Sequence, residues 1–278
     1  MSAQLREASS VILLRRVKPA GFEVFMVRRR KGASFMASAC VFPGGVAEPG
    51  EDARSTAARE LFEEAGILLA KFKPKEADDT NTVDETLEMP SLHGLRKQIH
   101  AGADAAALLG AMNLQWSTDM LVPWAHWITP SIEPKRFSAR FFACELPPGQ
   151  EPRFDDIETV EQVWVKPADA IARAKELALP PPQLRTCWEL AESEHLADAL
   201  AAGRARADEP HPILPRLASA AGQPPCLLLP WDPEYTEIGT GDSAPLTYTP
   251  KWARGPSRFV LEDQTWKHVG APGSTTAG

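Results

Sequence analysis

The chain is poor in the features that mark secreted, zinc-binding and membrane-spanning proteins. Its 278 residues include only four cysteines, and no two of them form a Cys-x-x-Cys pair, which excludes a zinc site of that type. No apolar run approaches the roughly 18 residues that span a bilayer, and the N-terminal apolar run is too short for a secretion signal. We therefore expect a cytoplasmic protein without a membrane partner, whose cysteines are reduced and packed in the core.

Basic charge is also scarce. The chain has 30 lysines and arginines against 37 aspartates and glutamates, which gives a net charge of -7 and a pI near 5.5. This balance argues against a broad nucleic-acid surface, although local arginines can still bind a small phosphate-bearing ligand. Apolar residues make up 44% of the chain and charged residues 24%, which is ordinary for a globular protein.

The order of the predicted elements indicates an α+β fold in which helices pack against a mixed sheet. β-Branched and alternating segments predict strands at 9–17, 22–30, 38–47, 120–129, 136–146 and 158–165, with a further strand beginning at Ile67. Apolar stripes at helical spacing predict helices at 52–65, 94–113, 167–178 and 184–204. Gly66 fits the left-handed position that ends the first of these helices.

Two segments lie outside this pattern. Residues 71–91 are polar and acidic, which is typical of a loop or mobile segment, and they begin an insertion of about 71–116 that carries a helix. Residues 206–278 form a proline-rich C-terminal extension with candidate strands at 226–231 and 258–269. Because these candidates are apolar, we expect the extension to pack on the main domain or on a partner protomer.

Carboxylates are concentrated on the first helix. Glu60, Glu63 and Glu64 have the spacing that places side chains on one helix face, where each like-charge pair costs roughly a few tenths of a kcal/mol. A glutamate-rich helix is usually a solvated surface face. A bound divalent cation would instead make the cluster favourable, and clustered carboxylate oxygens suit Mg²⁺ or Mn²⁺.

The spacing around this cluster favours the metal hypothesis. Gly45 is followed after five residues by Glu51 and, after seven more, by Arg59-Glu60-Leu61-Phe62-Glu63-Glu64-Ala65-Gly66-Ile67. At every position this stretch resembles the Nudix box, G-x5-E-x7-R-E-U-x-E-E-x-G-U, where U is bulky and aliphatic. From average residue usage, a chance match has a probability on the order of 10⁻⁸ per window.

The resemblance implies a Nudix hydrolase, an enzyme that cleaves a diphosphate linked to another moiety with Mg²⁺ or Mn²⁺. It also implies an α/β/α sandwich around a mixed sheet, which we expect over residues 8–205. Many members of the family are dimers, so a homodimer is a further expectation. The expected partner is a small-molecule diphosphate.

Individual roles follow from the resemblance, position by position. The residues that resemble metal ligands are Glu60, Glu63, Glu64 and, through its carbonyl, Gly44. Glu63 and Glu64 are expected to be essential for catalysis. Arg59 resembles the residue that orients a ligand glutamate by an ion pair, and Glu51 resembles a support at the helix start.

A further catalytic carboxylate is expected outside the box. In several Nudix proteins a general base or an additional metal ligand lies shortly before a strand that carries tryptophan. Glu158, six residues before Trp164, is the better match, and Glu161 is the alternative. On the structural interpretation, both glutamates merely cap the edge of a loop.

The substrate is indicated only by the flanks of the box. Over roughly 8–205 they are similar to the acyl-coenzyme A diphosphatase branch, which would convert coenzyme A or acyl-coenzyme A into 4'-phosphopantetheine (or its acyl form) and adenosine 3',5'-bisphosphate. Ser34 and Ser38 stand where a sister branch has arginine and glycine in its coenzyme A signature, whereas Arg29 fits. The alternatives are ADP-ribose, NADH or another nucleoside diphosphate derivative, and a non-catalytic nucleotide-binding regulator.

Candidate substrate-binding residues also lie in these flanks. Guanidinium groups bind phosphate in bidentate fashion, so we predict phosphate contacts from Arg28, Arg29, Arg136 and Arg140. Arg136 and Arg140 share one face of their strand, because alternate residues of a strand point the same way. Each arginine is alternatively an ordinary strand-edge charge. Stacking on a purine is predicted for Phe35 and, unless they lie in the core, for Trp124, His126 and Trp127.

Overall fold

A mixed sheet of eight strands forms the centre of the molecule. The structure is a computed structural model that describes residues 4–32, 36–74, 92–207, 211–218, 223–241 and 249–271. The strands within the described residues, in chain order, are β1 (Leu5–Arg16), β2 (Phe22–Arg29), β3 (Cys40–Val41), β4 (Gly44–Val46), β5 (Ala70–Phe72), β6 (Leu114–Trp116), β7 (Val122–Ile128), β8 (Arg136–Glu145), β9 (Thr159–Val165), β10 (Pro212–Ile213), β11 (Arg216–Ala218), β12 (Cys226–Leu228), β13 (Arg258–Glu262) and β14 (Thr265–Val269). The predicted strands in the first 165 residues are thereby confirmed, with two exceptions. The single strand expected at 38–47 is two short strands, β3 paired with β2 and β4 paired with β1, and the strand expected to begin at Ile67 begins later.

The strand order of the central sheet is β10-β7-β8-β1-β2-β3, with β4 also paired to β1 and β9 also paired to β2. β1 runs parallel to β8 over ten residue pairs, and β10 runs parallel to β7. The remaining pairings in this sheet are antiparallel. The sheet is therefore mixed, as predicted, and β5 pairs separately with β6.

Helices cover both faces of the central sheet. They are α1 (Ala53–Ala65), α2 (Leu92–His100), α3 (Ala105–Ala111), α4 (Pro167–Ala172), α5 (Ala174–Leu177), α6 (Pro181–Leu190) and α7 (Leu196–Arg206), with a 3-10 helix at Thr118–Met120. Val11 and Leu13 of β1 pack against α1, whereas Ile12 and Leu14 face the helices α4, α6 and α7. Because successive strand residues point to opposite faces, this arrangement is the predicted α/β/α sandwich.

None of the helices in the described ranges combines the length and the apolar character needed to cross a membrane.

Helix α1 begins and ends where the sequence predicts. Asp52 caps its start, because its carboxylate accepts hydrogen bonds from the N–H groups of Arg54 and Ser55 at 3.0 and 2.7 Å. Gly66 ends it with φ of 71°, a left-handed conformation in which glycine has no steric penalty. The apolar stripe that faces the sheet includes Leu61, which is fully buried.

The predicted helix at 94–113 is wrong as a single element. α2 ends at His100, and Gly102 makes a turn with φ of 91° before α3 begins. Asp104 caps α3 by accepting a hydrogen bond from the N–H of Ala107 at 3.0 Å. The apolar spacing continues across this break, so the periodicity of the sequence did not reveal it.

Three other boundaries also differ from the prediction. The helix expected at 184–204 consists of α6 and α7, which are separated by the largely polar stretch 191–195. The helix expected at 167–178 is divided at Arg173. The strand expected at Ile67 begins at Ala70 instead, and Ile67 is buried in the core beside α1.

The C-terminal extension forms an antiparallel sheet of its own, in the order β11-β12-β13-β14. Its strands β12, β13 and β14 confirm the candidates at 226–231 and 258–269. One face, which we call the inner face, places Leu227 and Phe259 in the core that contains α6. The opposite face carries a small cluster of Ala218, Leu228 and Tyr235. The described extension therefore packs on the main domain, while the division between 8–205 and 206–278 stays a prediction.

Candidate active site

Strand β4 lies so close to helix α1 and to β1 that it requires glycine at two positions. A side chain at Gly45 would clash with the carboxylate of Glu60, and one at Gly44 would clash with Ser10 on β1. The backbone of β4 therefore lies directly against the glutamates of α1. The Gly-Gly pair of the sequence is explained by these two contacts.

Arg59 is the buried centre of the charged cluster. Its guanidinium donates to both carboxylate oxygens of Glu51 at 2.8 and 3.0 Å and to the carbonyl of Val46 at 2.9 Å. Its Nη1 donates to Glu60 at 3.0 Å and to Glu63 at 3.1 Å. Glu51 also accepts from the N–H of Glu48 at 2.9 Å. Arg59 and Glu51 thus lie where the Nudix resemblance expects an orienting arginine and its support.

The glutamates of α1 carry more negative charge than Arg59 can compensate. Burial raises the pKa of Glu60 to about 7, against the lowering effect of Arg59 and with a further rise from Glu63. Burial likewise raises the pKa of Glu63, and that of Glu64 well above its usual range. Buried carboxylates held near one another in this way are a recurrent property of functional sites.

The three glutamates do not converge on one point. Glu60 and Glu63 are turned onto Arg59, whereas Glu64 accepts a hydrogen bond from the N–H of Gly44 at 2.9 Å. In the part of the chain that the structure describes, no three His, Cys, Asp or Glu side chains are arranged to hold a metal ion. The donor chemistry nevertheless fits a hard divalent cation, because carboxylate oxygens with uncompensated negative charge lie beside β4. Arg59 donates to only one carboxylate oxygen of Glu60 and to one of Glu63, so it positions both groups without engaging all of their oxygens.

Glu158 is brought to the same place from a different part of the chain. It lines the same cleft as Glu60 and Glu63, and its charge contributes to the raised pKa of Glu60 and Glu64, after the effect of burial. The turn that carries it is held by Asp155, which accepts a hydrogen bond from the N–H of Glu158 at 3.1 Å.

The alternative carboxylate, Glu161, lies elsewhere. It forms an ion pair with Arg28 at 2.5 Å and its side chain is 61% exposed. It lines a separate small pocket with Cys40 rather than the cleft. Of the two carboxylates predicted outside the box, Glu158 is the one that lies beside the buried cluster.

A cleft of about 1200 Å³ extends from this cluster along the sheet. It is lined by residues of three strands, including Ser10 on β1, Trp127 on β7 and Phe141 on β8. Arg29 enters the same end of the cleft as the glutamates, and its charge lowers the pKa of Glu64 against the larger effect of burial. Arg29 is thus placed to meet an anionic ligand beside the carboxylates.

The other predicted arginines do not reach the cleft. Arg28 faces Glu161 on the opposite side of β2. On β8 the cleft is lined by Phe137, Ala139 and Phe141, so the intervening residues point away from it. Arg136 donates to the carbonyl of Thr129 at 3.0 Å, and Arg140 forms an ion pair with Glu7 at 2.6 Å.

The predicted aromatic residues also differ in whether they line the cleft. Trp124 is buried in the core and donates from Nε1 to Glu189 at 3.0 Å. His126 contacts Ser138 on the strand face that points away from the cleft. Trp127 is also largely buried but lines the cleft. Phe35 lies outside the described residues.

Two residues beside the cluster were not predicted from the sequence. Arg96 and His100, one turn apart on α2, both contact the carbonyl of Glu63, at 2.8 and 3.1 Å. They satisfy a carbonyl in the last turn of α1, which has no partner within the helix. Gly66 allows this approach, because a side chain there would meet Arg96 at 3.2 Å. The spacing of four residues was the only signal in the sequence, and it does not identify the partner.

Comparisons with known proteins agree with this geometry. The model of the NUDT19 Nudix domain family matches residues 49–190, just over half of the chain. A Caenorhabditis elegans protein that carries the name nudix hydrolase 7 is 30% identical over 201 residues, which is 69% of this chain and 62% of the relative. The human acyl-coenzyme A diphosphatase NUDT19 is 33% identical over 154 residues, 52% of this chain and 40% of the relative. This chain thus matches less than two thirds of the length of either relative.

Among solved structures, a NUDIX hydrolase from Alicyclobacillus acidocaldarius superimposes with a TM-score of 0.61 at 25% sequence identity. The match covers 72% of this chain and 96% of that protein. The sandwich described above is therefore shared with a Nudix protein over nearly the whole of that protein's length.

Proposed function

The chain belongs to the NUDT19 Nudix domain family, and from this premise we propose that it hydrolyses the diphosphate linkage of coenzyme A or an acyl-coenzyme A. The products would be 4'-phosphopantetheine, or its acyl form, and adenosine 3',5'-bisphosphate. The names of the human and chicken relatives, both acyl-coenzyme A diphosphatases, support this choice of substrate. The chicken protein is 28% identical and is matched over 81% of its length.

The observation that carries the proposal is the buried carboxylate cluster at one end of the cleft. Glu60, Glu63 and Glu158 line the same cleft, although Glu158 comes from a distant part of the chain. Arg29 adds a positive charge at the same end. A diphosphate placed there would meet both the groups that bind cations and a group that binds anions.

Nudix hydrolases generally use divalent metal ions, and here Glu60, Glu63, Glu64 and the carbonyl of Gly44 would hold Mg²⁺ or Mn²⁺. A bound ion of this kind neutralises diphosphate oxygens and lowers the pKa of a coordinated water. These residues suit a divalent ion because their donor atoms are oxygens and because the negative charge of the three glutamates is not fully compensated.

The chain's own residues have separable roles in this proposal. Glu51 anchors Arg59, and Arg59 holds the carboxylates of Glu60 and Glu63 in place. Glu158 accepts the proton of the attacking water as general base. Arg29 binds a phosphate oxygen and orients the linkage.

A substrate panel tests the proposal. The full chain is incubated with Mg²⁺ or Mn²⁺ and with coenzyme A, octanoyl-coenzyme A, ADP-ribose or NADH, and the products are identified by mass. We expect adenosine 3',5'-bisphosphate from the two coenzyme A species. Turnover of ADP-ribose well above both of them would contradict the substrate, and no turnover of any diphosphate would favour a binding protein.

The expected homodimer and cytoplasmic location also stay predictions. Light scattering of the full chain would test the first, because a mass of 30.3 kDa corresponds to the monomer.

A further inference from the structure

The cleft has two ends of opposite chemical character. Beyond the carboxylates it runs between the segment 174–183 and the inner face of the extension's sheet. We call this part the apolar arm. Its side chains include Leu179, Leu217, Leu227, Leu261 and Trp266. No charged side chain lines the arm within the described parts of these two segments.

The backbone of the arm is also poor in hydrogen-bond donors. Pro180, Pro181 and Pro182 follow one another on one wall, and Pro215 and Pro225 lie on the other. Proline has no N–H, so these positions have no backbone donor to offer a phosphate or a nucleobase. Because burying a charge without partners is costly, the arm disfavours the ionic parts of a ligand and favours an aliphatic chain.

Three polar residues also line the arm, namely the exposed Gln264, the half-buried Thr265 and the buried Gln183. Gln183, in the first turn of α6, is only 5% exposed and lines the cleft. Its Oε1 has no hydrogen-bond partner among the described residues. Buried polar atoms normally have partners, so this position fits a ligand that carries an amide group within an aliphatic chain.

From these observations we infer that the apolar arm binds the acyl-pantetheine chain of the substrate and that the C-terminal extension sets the preference for an acyl group. The inference rests on the proposed function, since it assigns the same cleft. A single continuous cleft joins the arm to the carboxylates, so a chain attached to a diphosphate held there extends into the arm. Gln183 pairs with an amide of the pantetheine part, and the leucines and Trp266 contact the acyl group.

The alternation of β13 supplies a matched pair of variants. Leu261 lines the arm, whereas its neighbour Val260 does not and points to the opposite face of the same sheet. Leu261→Glu places a charge in the arm, and Val260→Glu places the same charge outside it. Thr265→Glu, at a half-buried position of the arm on β14, is a second variant should Leu261→Glu not fold.

The primary measurement is the ratio of kcat/KM for octanoyl-coenzyme A to that for free coenzyme A. We expect Leu261→Glu or Thr265→Glu to lower this ratio at least tenfold and Val260→Glu to leave it within twofold. Using a ratio cancels any loss of folded protein. An equal ratio in the variants and the unmodified chain would overturn the inference and leave the proposed function intact.

If no coenzyme A species is hydrolysed, the proposed function fails. A binding measurement then tests the arm assignment on its own. S-octanoyl-pantetheine carries the chain and the amides but no diphosphate. We expect calorimetry to show that it binds the full chain and binds Leu261→Glu and Gln183→Leu at least tenfold more weakly. No binding to the full chain, or equal binding to all three proteins, would overturn the arm assignment.

Discussion

Two buried charge clusters in this molecule differ in the sign of their imbalance. The carboxylate cluster on α1 surrounds Arg59 with glutamates, and burial raises the pKa of Glu60 to about 7. The guanidinium cluster between α6 and α7 has the opposite composition. There Glu189 accepts from Arg185 at 2.7 Å and from Arg206 at 2.6 Å, and the two arginines lower its pKa against the effect of burial.

The partners of the second cluster are structural elements. Arg185 also donates to the carbonyls of Arg254 and Pro256 at 2.9 and 3.0 Å, and it lies over the ring of Trp188. It therefore ties the C-terminal extension to the main domain. Glu189 is held between two arginines, so removing it would leave buried charges without a partner, whereas the excess negative charge on α1 lies beside a cleft and is available for a ligand.

The largest effect is expected from Glu64→Gln. Loss of this carboxylate should lower Mg²⁺-dependent kcat about 10³-fold, because a group that stabilises the reacting charges is removed. Thermal stability should not fall, because Gln can still accept from Gly44 and a carboxylate with a raised pKa destabilises the folded state. Activity assays and thermal melts check both parts. Full activity, or a melting temperature several degrees lower, would contradict the contrast between the clusters.

Glu189→Gln should show the opposite combination. Removing the negative charge between two buried guanidiniums should lower the free energy of unfolding by about 3 kcal/mol. Urea denaturation measures this loss, and kcat of the remaining folded protein should stay near normal. Glu176→Gln is the control, because Glu176 pairs with Arg173 at the exposed surface, where water screens the pair, and its loss should leave the stability nearly unchanged. Equal stability of the two variants would show that the second cluster is not structural.

The sequence predicted the first cluster but not the second. Fixed spacing places Glu60, Glu63 and Arg59 on one short helix, so local geometry was enough. Glu189 and Arg206 are brought together only when two helices pack. The extension that contacts Arg185 lies even farther along the chain. The same limitation explains why Arg96 was missed.

Periodicity also has a specific limit on strands. Alternation correctly places Arg136 and Arg140 on one face of β8, but it does not say which face borders the cleft. Phe137, Ala139 and Phe141 alternate equally well, and the structure assigns the cleft to them. Continuous apolar spacing likewise concealed the breaks inside 94–113 and 184–204.

A smaller effect is expected from Glu158→Gln, which tests whether Glu158 acts together with the carboxylate cluster. Glu158→Gln should lower kcat about 10²-fold, because the general base is lost. Glu161→Gln is matched to it in chemistry and is only three residues away, yet it should keep kcat within about twofold, because Glu161 faces Arg28 outside the cleft. Steady-state kinetics at fixed Mg²⁺ distinguishes the two. Equal losses would mean that the turn as a whole, and not Glu158, matters.

The smallest effect concerns a group beside the guanidinium cluster. His268 stacks on Phe259 and lies 3.5 Å from Arg185, and burial together with the charge of Arg185 lowers its pKa to about 3. Because the folded state resists protonation, its contribution to stability is complete above the ordinary pKa of about 6.5 and is lost as the pH falls below it. Between pH 7 and 5 the loss should reach up to about 2 kcal/mol.

His268→Phe keeps the stacked ring and removes the titrating group. The difference between the pH profiles of unfolding for the two proteins therefore isolates His268 from the carboxylates of α1, whose raised pKa values give the opposite sign. If the two urea-denaturation profiles were parallel from pH 7 to 5, His268 would be accessible to protons in the folded state. The extension would then be less tightly packed on α6 than the carbonyl contacts of Arg185 indicate.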